Sequence, residues 1–340
     1  MARTLRSVVA AAGALLSATA VPVASPAMAE TLKDWNCTGS ADIPWDDQIA
    51  GCTKALESGR FRGRAVIVLY DRAVAHQGNG DADSAIADYS QAIGLDPKFS
   101  LLYNGRGNAY FAKGDLDHAM ADFNQAVALA PRLPIAYYDR GNAYQNKKNF
   151  DQAIADYDRT IELDPKLAAA YNARGNAFAA KGDLDRAMAD FNNAITLDPH
   201  FALAYYNRGN VYKDKGELDQ AFADYAQVIA LAPKYAQVYN SRGNAYSAKD
   251  DFDHAMADYN QAIALDAKLA QPYNGRGSAY AAKHDLDHAI ADFTQAIALD
   301  PKFAGAYYNR GNAYKAKGDN DRALADHKEA IRLDPKLAPK

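Results

Sequence analysis

The chain has 340 residues, of which 49% are apolar and 24% charged, and a formal net charge of −4. That composition belongs to a folded chain and not a disordered one, and the length alone would hold two ordinary domains. The mild acidity excludes a general nucleic-acid binder, which needs a basic face to neutralise phosphates.

Residues 1–29 read as a leader outside the fold. Arg3 and Arg6 form a short basic region, Val8 to Val21 is an alanine-rich apolar run, and Pro22 and Pro26 break it. Ala27-Met28-Ala29 then gives a small-x-small cleavage site before Glu30, the pattern of a secretory signal peptide. A membrane anchor would need about 20 apolar residues, and this run is shorter. Removing the leader leaves 36 basic against 42 acidic residues, a formal charge of −6. The mature chain is expected to be exported, either periplasmic or secreted, and not inserted in a membrane.

Residues 30–65 carry both cysteines, Cys37 and Cys52. An even pair in an exported chain suggests a disulfide, worth roughly 3 kcal/mol for a loop of about 15 residues. No nearby histidine completes a zinc site, and no Cys-x-x-Cys suggests a redox centre. Within Ile43 to Glu57, Asp47-Gln48-Ile49-Ala50-Gly51-Cys52 echoes a motif found downstream as Asp151–Tyr157, with Cys52 in its aromatic slot. We read it as a degenerate half-repeat that caps the following array.

From residue 66 a 34-residue period takes over. Arg-Gly-Asn recurs at Arg106, Arg140, Arg174, Arg208, Arg242 and Arg310, with Arg-Gly-Ser at Arg276. Prolines keep the same ruler at Pro97, Pro131, Pro165, Pro199, Pro233, Pro301 and Pro335, and Ala267 alone breaks it. Eight units fit: 66–99, 100–133, 134–167, 168–201, 202–235, 236–269, 270–303 and 304–337, with a tail at 338–340. In unit 202–235, Tyr205, Arg208, Gly209 and Tyr212 fall three and four apart on one helical face. Lys215-Gly216 ends that helix, and Glu217 and Asp219 open a second. Its apolar face is Leu218, Ala221, Phe222, Tyr225, Val228 and Ile229, before the stop at Pro233. Two such short helices cannot bury their faces alone, so neighbouring units must stack.

Aromatic, small, aromatic, alanine, aromatic, alanine, proline over 34 residues resembles the tetratricopeptide repeat. In unit 202–235 it falls on Tyr205, Gly209, Tyr212, Ala221, Tyr225, Val228 in place of the usual alanine, and Pro233. The resemblance covers 272 of the 340 residues. It implies an all-α, right-handed superhelical α-solenoid of eight helix-turn-helix repeats, and a protein- or peptide-binding scaffold. One departure is constant: arginine, Arg72 through Arg310, stands before the small residue where the family often has leucine. An aspartate follows 16 residues later in every unit: Asp88, Asp122, Asp156, Asp190, Asp224, Asp258, Asp292 and Asp326. An arginine on a packing face is costly unless paired, so a ladder of Arg–Asp bridges is expected, within or between units. The terminal units are atypical, with Ala73 and His76 in the first and Asn320 and His327 in the last.

No catalytic constellation is present, and no cofactor is implied. Gly105-Arg106-Gly107 and Gly275-Arg276-Gly277 sit inside repeat helices and not after a strand, so they lack the context of a dinucleotide loop. The pairs Asp115/Asp117 and Asp183/Asp185 resemble calcium ligands, but recur as helix N-caps. His284 and His288 have the spacing of a zinc pair. His288 nevertheless shares its column with His118 and His254, which have no histidine partner, so no metal site is expected.

In the repeat family the concave face is lined by the second, fifth, ninth, twelfth and thirteenth positions of the first helices. Here the ninth is an asparagine row: Asn108, Asn142, Asn176, Asn210, Asn244 and Asn312, interrupted by Ser278. The fifth mixes Tyr70, Tyr138, Tyr206 and Tyr308 with Asn104, Asn172, Asn240 and Asn274. Amides donate and accept at once, which suits the backbone of an extended peptide, and tyrosines add contact area. None of the fifth positions is lysine, so a two-carboxylate clamp for chaperone tails is not supported. The expected function is a non-catalytic, peptide-binding scaffold of the cell envelope. A glycan or cell-wall binder, or an accessory subunit of an envelope enzyme or secretion complex, is the alternative.

Overall fold

The computed structural model describes residues 35–37 and 43–338. The leader expected at residues 1–29 lies outside them. Among the described residues there are seventeen α-helices and no strand. α1 spans Trp45–Glu57. The repeats follow as α2 (Ala65–Gly78), α3 (Ala82–Leu95), α4 (Ser100–Lys113), α5 (Leu116–Leu129), α6 (Pro134–Asn146), α7 (Phe150–Leu163), α8 (Ala168–Ala180), α9 (Leu184–Leu197), α10 (Ala202–Asp214), α11 (Leu218–Leu231), α12 (Ala236–Ala248), α13 (Phe252–Leu265), α14 (Ala270–Ala282), α15 (Leu286–Leu299), α16 (Ala304–Ala316) and α17 (Asn320–Leu333). Two compact units divide the chain, residues 1–181 with α1–α8 and residues 182–340 with α9–α17. Within each unit a helix packs on the next in sequence, and successive first helices also touch.

Local chemistry sets each helix boundary. Asp81, Asp115, Asn149, Asp183, Asp251, Asp285 and Asp319 cap second helices, each side chain accepting the backbone N–H three residues on. Glu217 holds the same place before α11 and makes no such bond. The turn before each cap needs a left-handed residue. Gly114 and Gly216 supply it with φ of 80° and 78°, and in other repeats Lys148, Asp250 and His284 adopt it with φ of 59°, 58° and 62°. His284 is therefore a turn residue.

The core is a stack of aromatic rings. Tyr89, Phe123, Tyr157, Phe191, Tyr225, Tyr259 and Phe293, one per second helix, are fully buried. Each meets a small residue on its neighbour: a Cβ added at Gly209 would lie 2.9 Å from Tyr225 Cε1. This close approach explains why the column holds glycine in seven repeats and nothing larger than Ala73 in the first.

The arginine ladder lies between the two helices of one repeat. Nε and Nη2 of Arg72, Arg106, Arg140, Arg208, Arg242, Arg276 and Arg310 bond both oxygens of Asp88, Asp122, Asp156, Asp224, Asp258, Asp292 and Asp326 at 2.6–2.8 Å. Arg174 and Asp190 fall in different units. The third nitrogen, Nη1, reaches back to the preceding second helix, at Ser90 from Arg106, Asn124 from Arg140, Asp158 from Arg174, Asn192 from Arg208, Asn260 from Arg276 and Thr294 from Arg310. Where all three bonds form, as at Arg106, Arg140, Arg208, Arg276 and Arg310, one guanidinium ties three helices, and the carboxylates it serves are buried. Arg242 lacks the third bond, because the facing residue is Ala226. The rings of Tyr103, Tyr137, Tyr171, Tyr205, Tyr239, Tyr273 and Tyr307, three residues before each arginine, lie 5.5–5.8 Å from its guanidinium carbon.

A second ladder joins successive repeats at the surface. Lys147 meets Asp117 at 2.8 Å, Lys249 meets Asp219 at 2.9 Å and Lys283 meets Asp253 at 2.5 Å. Lys113–Asp83, Lys181–Asp151 and Lys317–Asp287 repeat the pairing, and Lys215 is 3.6 Å from Asp185. The lysine ends one first helix and the aspartate opens the preceding second helix.

α1 enters this scheme with its register moved by three residues. Arg72 Nη1 bonds Thr53, 19 residues back, where the internal repeats use 16. Asn79 bonds Asp46 at 2.9 Å, 33 residues back, where the lysine ladder uses 30. The three extra residues match a 3₁₀ turn, Arg62–Arg64, before α2. Thr53 thus stands where Ser90 and Asn124 stand, and Cys52 falls in the aromatic column. Cys52 is disulfide-bonded to Cys37, with Cα atoms 4.8 Å apart. That bond holds residues 35–37 over α1, so close that a Cβ at Gly51 would lie 1.8 Å from Trp35 O. Trp35 meets Phe61 edge to face at 6.0 Å.

Candidate functional site

The fifth, sixth and ninth positions of the first helices make one continuous face within each unit. In the first unit, Asn104 is buried and its Nδ2 donates to Asp139 Oδ2 at 2.8 Å. Asn108 Nδ2 donates to the same oxygen, also at 2.8 Å. Asn142 is partly buried, and its Oδ1 accepts the hydroxyl of Tyr157 at 2.8 Å. Asn172 is buried and Asn176 partly buried on α8. In the second unit, Asn210 and Asn244 accept from Tyr225 and Tyr259 at 2.8 Å, and Asn312 Oδ1 lies 3.0 Å from His327 Nε2. Asn244, Asn312 and Ser278 are exposed.

The asparagine row is therefore half committed. Where a second helix carries tyrosine, the asparagine carbonyl is spent on its hydroxyl, which leaves Nδ2 of Asn210 and Asn244 to meet a ligand, whereas the Asn142 amide also bonds the Tyr138 hydroxyl. The fifth-position tyrosines are also partly wall. Tyr70 lies 6.0 Å from Tyr89, Tyr138 6.0 Å from Tyr157, and Tyr206 6.4 Å from Tyr225 and 5.1 Å from Tyr235. Burial pushes the Tyr138 hydroxyl up to about 12, so it stays a neutral donor. Tyr308, in the last repeat, is 38% exposed.

The columns vary together. A tyrosine in the buried ring column meets Gly, Ala or Ser at the sixth position of the next repeat: Tyr89 with Gly105, Tyr157 with Ala173, Tyr225 with Ser241, Tyr259 with Gly275. Phenylalanine meets Asp or Asn: Phe123 with Asp139, Phe191 with Asn207, Phe293 with Asn309. The reason is space. A Cβ at Gly105 would lie 2.5 Å from the Tyr89 ring, and at Gly275 2.6 Å from the Tyr259 ring. Without the phenol oxygen, a polar side chain fills the gap and bonds the fifth position of the preceding repeat, as Asn309 does to Asn274 at 3.1 Å. Asn240 faces Gly275 in this register, and its buried Oδ1 has no partner among the described residues.

Two carboxylates on this face escaped the sequence reading. Asp139 is 5% exposed and its carboxyl is pushed up to about 6 by burial, with the Asn108 and Asn104 amides pulling it back. Asp71, at the same position of α2, is pushed up to about 7 by burial alone. Their signal in the sequence was an acid in a column otherwise holding Gly, Ala, Ser or Asn.

The residues weighed for metal are occupied elsewhere. Nδ1 of His288 lies 2.7 Å from Asp285 Oδ2, and its ring stacks on Tyr280 at 5.1 Å. Asp115 and Asp183 cap helices, while Asp117 and Asp185 sit in the lysine ladder. Among the described residues no group of three or more His, Cys, Asp or Glu could hold a metal ion. No helix among them is long and apolar enough to cross a membrane.

The family described as TPR repeat matches residues 78–114, 107–148, 175–216, 209–250, 243–284 and 277–318, and that described as Tetratricopeptide repeat matches 134–167 and 304–337. The chain belongs to the tetratricopeptide-repeat family. It is a repeat solenoid in which consecutive helix pairs pack in one recurring pattern. Among curated proteins none matches it. A solved chain in the APC/C hetero-tetramer Cut9–Hcn1 is similar at 19% identity and TM-score 0.66, over 89% of this chain. This chain spans 58% of that one's length. A tetratricopeptide-repeat protein from Parabacteroides merdae is similar at 19% identity and TM-score 0.59, over 77% of this chain and all of the other. At such identities the likeness is one of fold. Tetratricopeptide repeats generally serve as protein-interaction scaffolds.

Proposed function

We propose that this tetratricopeptide-repeat chain is a non-catalytic scaffold of the cell envelope that holds extended polypeptide along its first-helix face. The observation that carries the reading is the asparagine row on this face, in which Asn210 and Asn244 spend their carbonyls on the Tyr225 and Tyr259 hydroxyls and keep Nδ2 for a ligand. A regular series of fixed amide donors suits the regular series of carbonyls on an extended peptide. Tyrosine rings between them add contact area with little entropy to lose. The envelope assignment rests on the leader pattern at residues 1–29 and on a disulfide, which persists in oxidising compartments.

The test is a variant with Asn142→Asp and Asn210→Asp. Aspartate still accepts the Tyr157 and Tyr225 hydroxyls but no longer donates to a peptide carbonyl. Bait chains, wild type and variant, are incubated with a periplasmic or culture extract and the recovered material is sorted into polypeptide and glycan. The reading expects polypeptide, reduced at least tenfold in the variant, with unchanged circular dichroism. Recovery of glycan polymer, or of polypeptide at full strength by the variant, contradicts it.

A further inference from the structure

We propose that the first-helix face of the first unit selects positive charge, binding a basic, extended stretch of polypeptide with Asp71 and Asp139 as its two anchors. This rests on the reading that the face binds polypeptide, and it names the chemistry of the partner.

Buried carboxylates elsewhere in the fold show what these two lack. Asp88, Asp122 and Asp156, buried in the same unit, are each gripped by both arms of an arginine. Asp139 is as deeply buried, yet only two neutral amides approach it, both at Oδ2. Asp71 is only partly buried and has no hydrogen-bond or ion-pair partner among the described residues. The reason lies in the repeat. Asp139 receives its amides from α4, the first helix of the preceding repeat, whereas the helix before α2 is α1, which stands in the register of a second helix. A carboxylate withdrawn from water without a cation is costly, and a ligand cation removes that cost.

Nothing on the face supplies the missing charge. The second, fifth, sixth, ninth, twelfth and thirteenth positions of α2, α4, α6 and α8 contain no lysine or arginine. The nearest guanidinium groups, Arg72 and Arg140, are committed to Asp88 and Asp156. The second unit differs on both counts, with Asn207 and Asn309 at the sixth position and Lys213 and Lys315 at the twelfth. Charge selection therefore belongs to the first unit. Asp71 and Asp139 are two repeats apart, roughly 20 Å at about 10 Å per packed helix step. An extended chain covers that in about six residues at roughly 3.3 Å each. The partner thus carries lysine or arginine at about that spacing.

The measurement is fluorescence anisotropy on the full chain with three labelled ten-residue peptides. One has two lysines six residues apart in a Ser/Thr/Ala background, the second has glutamine at both places, and the third glutamate. The lysine peptide is expected to bind at least tenfold more tightly than the glutamine peptide, and the glutamate peptide more weakly than either. Asp71→Asn with Asp139→Asn should bring the lysine peptide down to the glutamine level, and Asp71→Asn alone should give part of that loss. Asp71→Asn removes no bond of the fold, and the chain itself uses asparagine in this column, so circular dichroism should not change. Equal binding of lysine and glutamine peptides by wild type, or an unchanged lysine preference in the double variant, overturns the proposal. If the preference is absent but Asn142→Asp with Asn210→Asp still weakens the glutamine peptide, the polypeptide reading stands and only charge selection falls. If no peptide binds, both fall.

Discussion

Arginine in place of the family's leucine changes what holds each helix pair together. A leucine there would contribute apolar contact alone, whereas Arg208 bonds both oxygens of Asp224, which is 4% exposed, and a third group, Asn192, on the preceding helix. Replacing Arg208 by alanine leaves that carboxylate buried and unpaired, so urea unfolding should show a loss of roughly 3–5 kcal/mol. A loss of about 1 kcal/mol or less would mean that the pair behaves as a solvated one. Arg242 offers the reverse experiment. Ala226→Asn restores the third bond found in other repeats and should gain about 0.5–1 kcal/mol. Asp139 makes a prediction about pH. Its folded carboxyl sits at about 6, above the value near 3.9 of an unfolded aspartate. A raised folded value stabilises below about pH 4, and that contribution is lost as pH rises through about 6. The shift of about two units corresponds to roughly 3 kcal/mol. The other titratable groups facing it, the Tyr138 and Tyr157 hydroxyls, are both pushed upward and stay neutral. Asp139→Asn should therefore be more stable than wild type at pH 8, with the difference shrinking toward zero near pH 4. A difference that does not move with pH contradicts this.

Elements repeat because their ends repeat, and the exceptions are informative. Seven of the eight repeat caps use a short side chain that reaches the backbone N–H, and Glu217 does not. Its extra methylene carries the carboxylate past the helix end. Glu217→Asp should restore the bond and stabilise by about 1 kcal/mol in chemical denaturation. No gain would mean that the helix end is satisfied by water at no cost. At this scale the sequence was most legible. Helix starts and stops followed from Asp, Gly and Pro, and the Arg–Asp pairing from the invariant step of 16. The Lys–Asp ladder was missed, although the aspartate column is constant and the lysine column breaks only at Asn79, because a fixed spacing of 30 does not say which two surfaces meet. Packing decided that: the end of one first helix lies against the start of the preceding second helix. The same limit hid the covariation of Tyr or Phe with the sixth position, which needs the ring and the next helix to be seen together.

For the whole molecule, each unit gains stability from contacts between neighbouring repeats, so a change in one repeat is felt mainly beside it. That locality makes function separable from folding, provided the side chains tested are free. The fifth- and ninth-position residues were legible as a periodic face but not as half-used groups, since the bond from Tyr157 to Asn142 joins different helices. Their remaining Nδ2 groups and ring edges are what the account assigns to a ligand. A photo-crosslinking amino acid placed singly at Asn176, Asn244 and Tyr308 on this face, and at Asp117, Arg159 and Asp287 on the opposite helices, tests that assignment most directly. After irradiation in an envelope extract, mass spectrometry should find polypeptide joined at the first three positions, and peptide fragments in a consistent order along the repeats. Crosslinks confined to the last three, or carbohydrate joined at the first three, would contradict it.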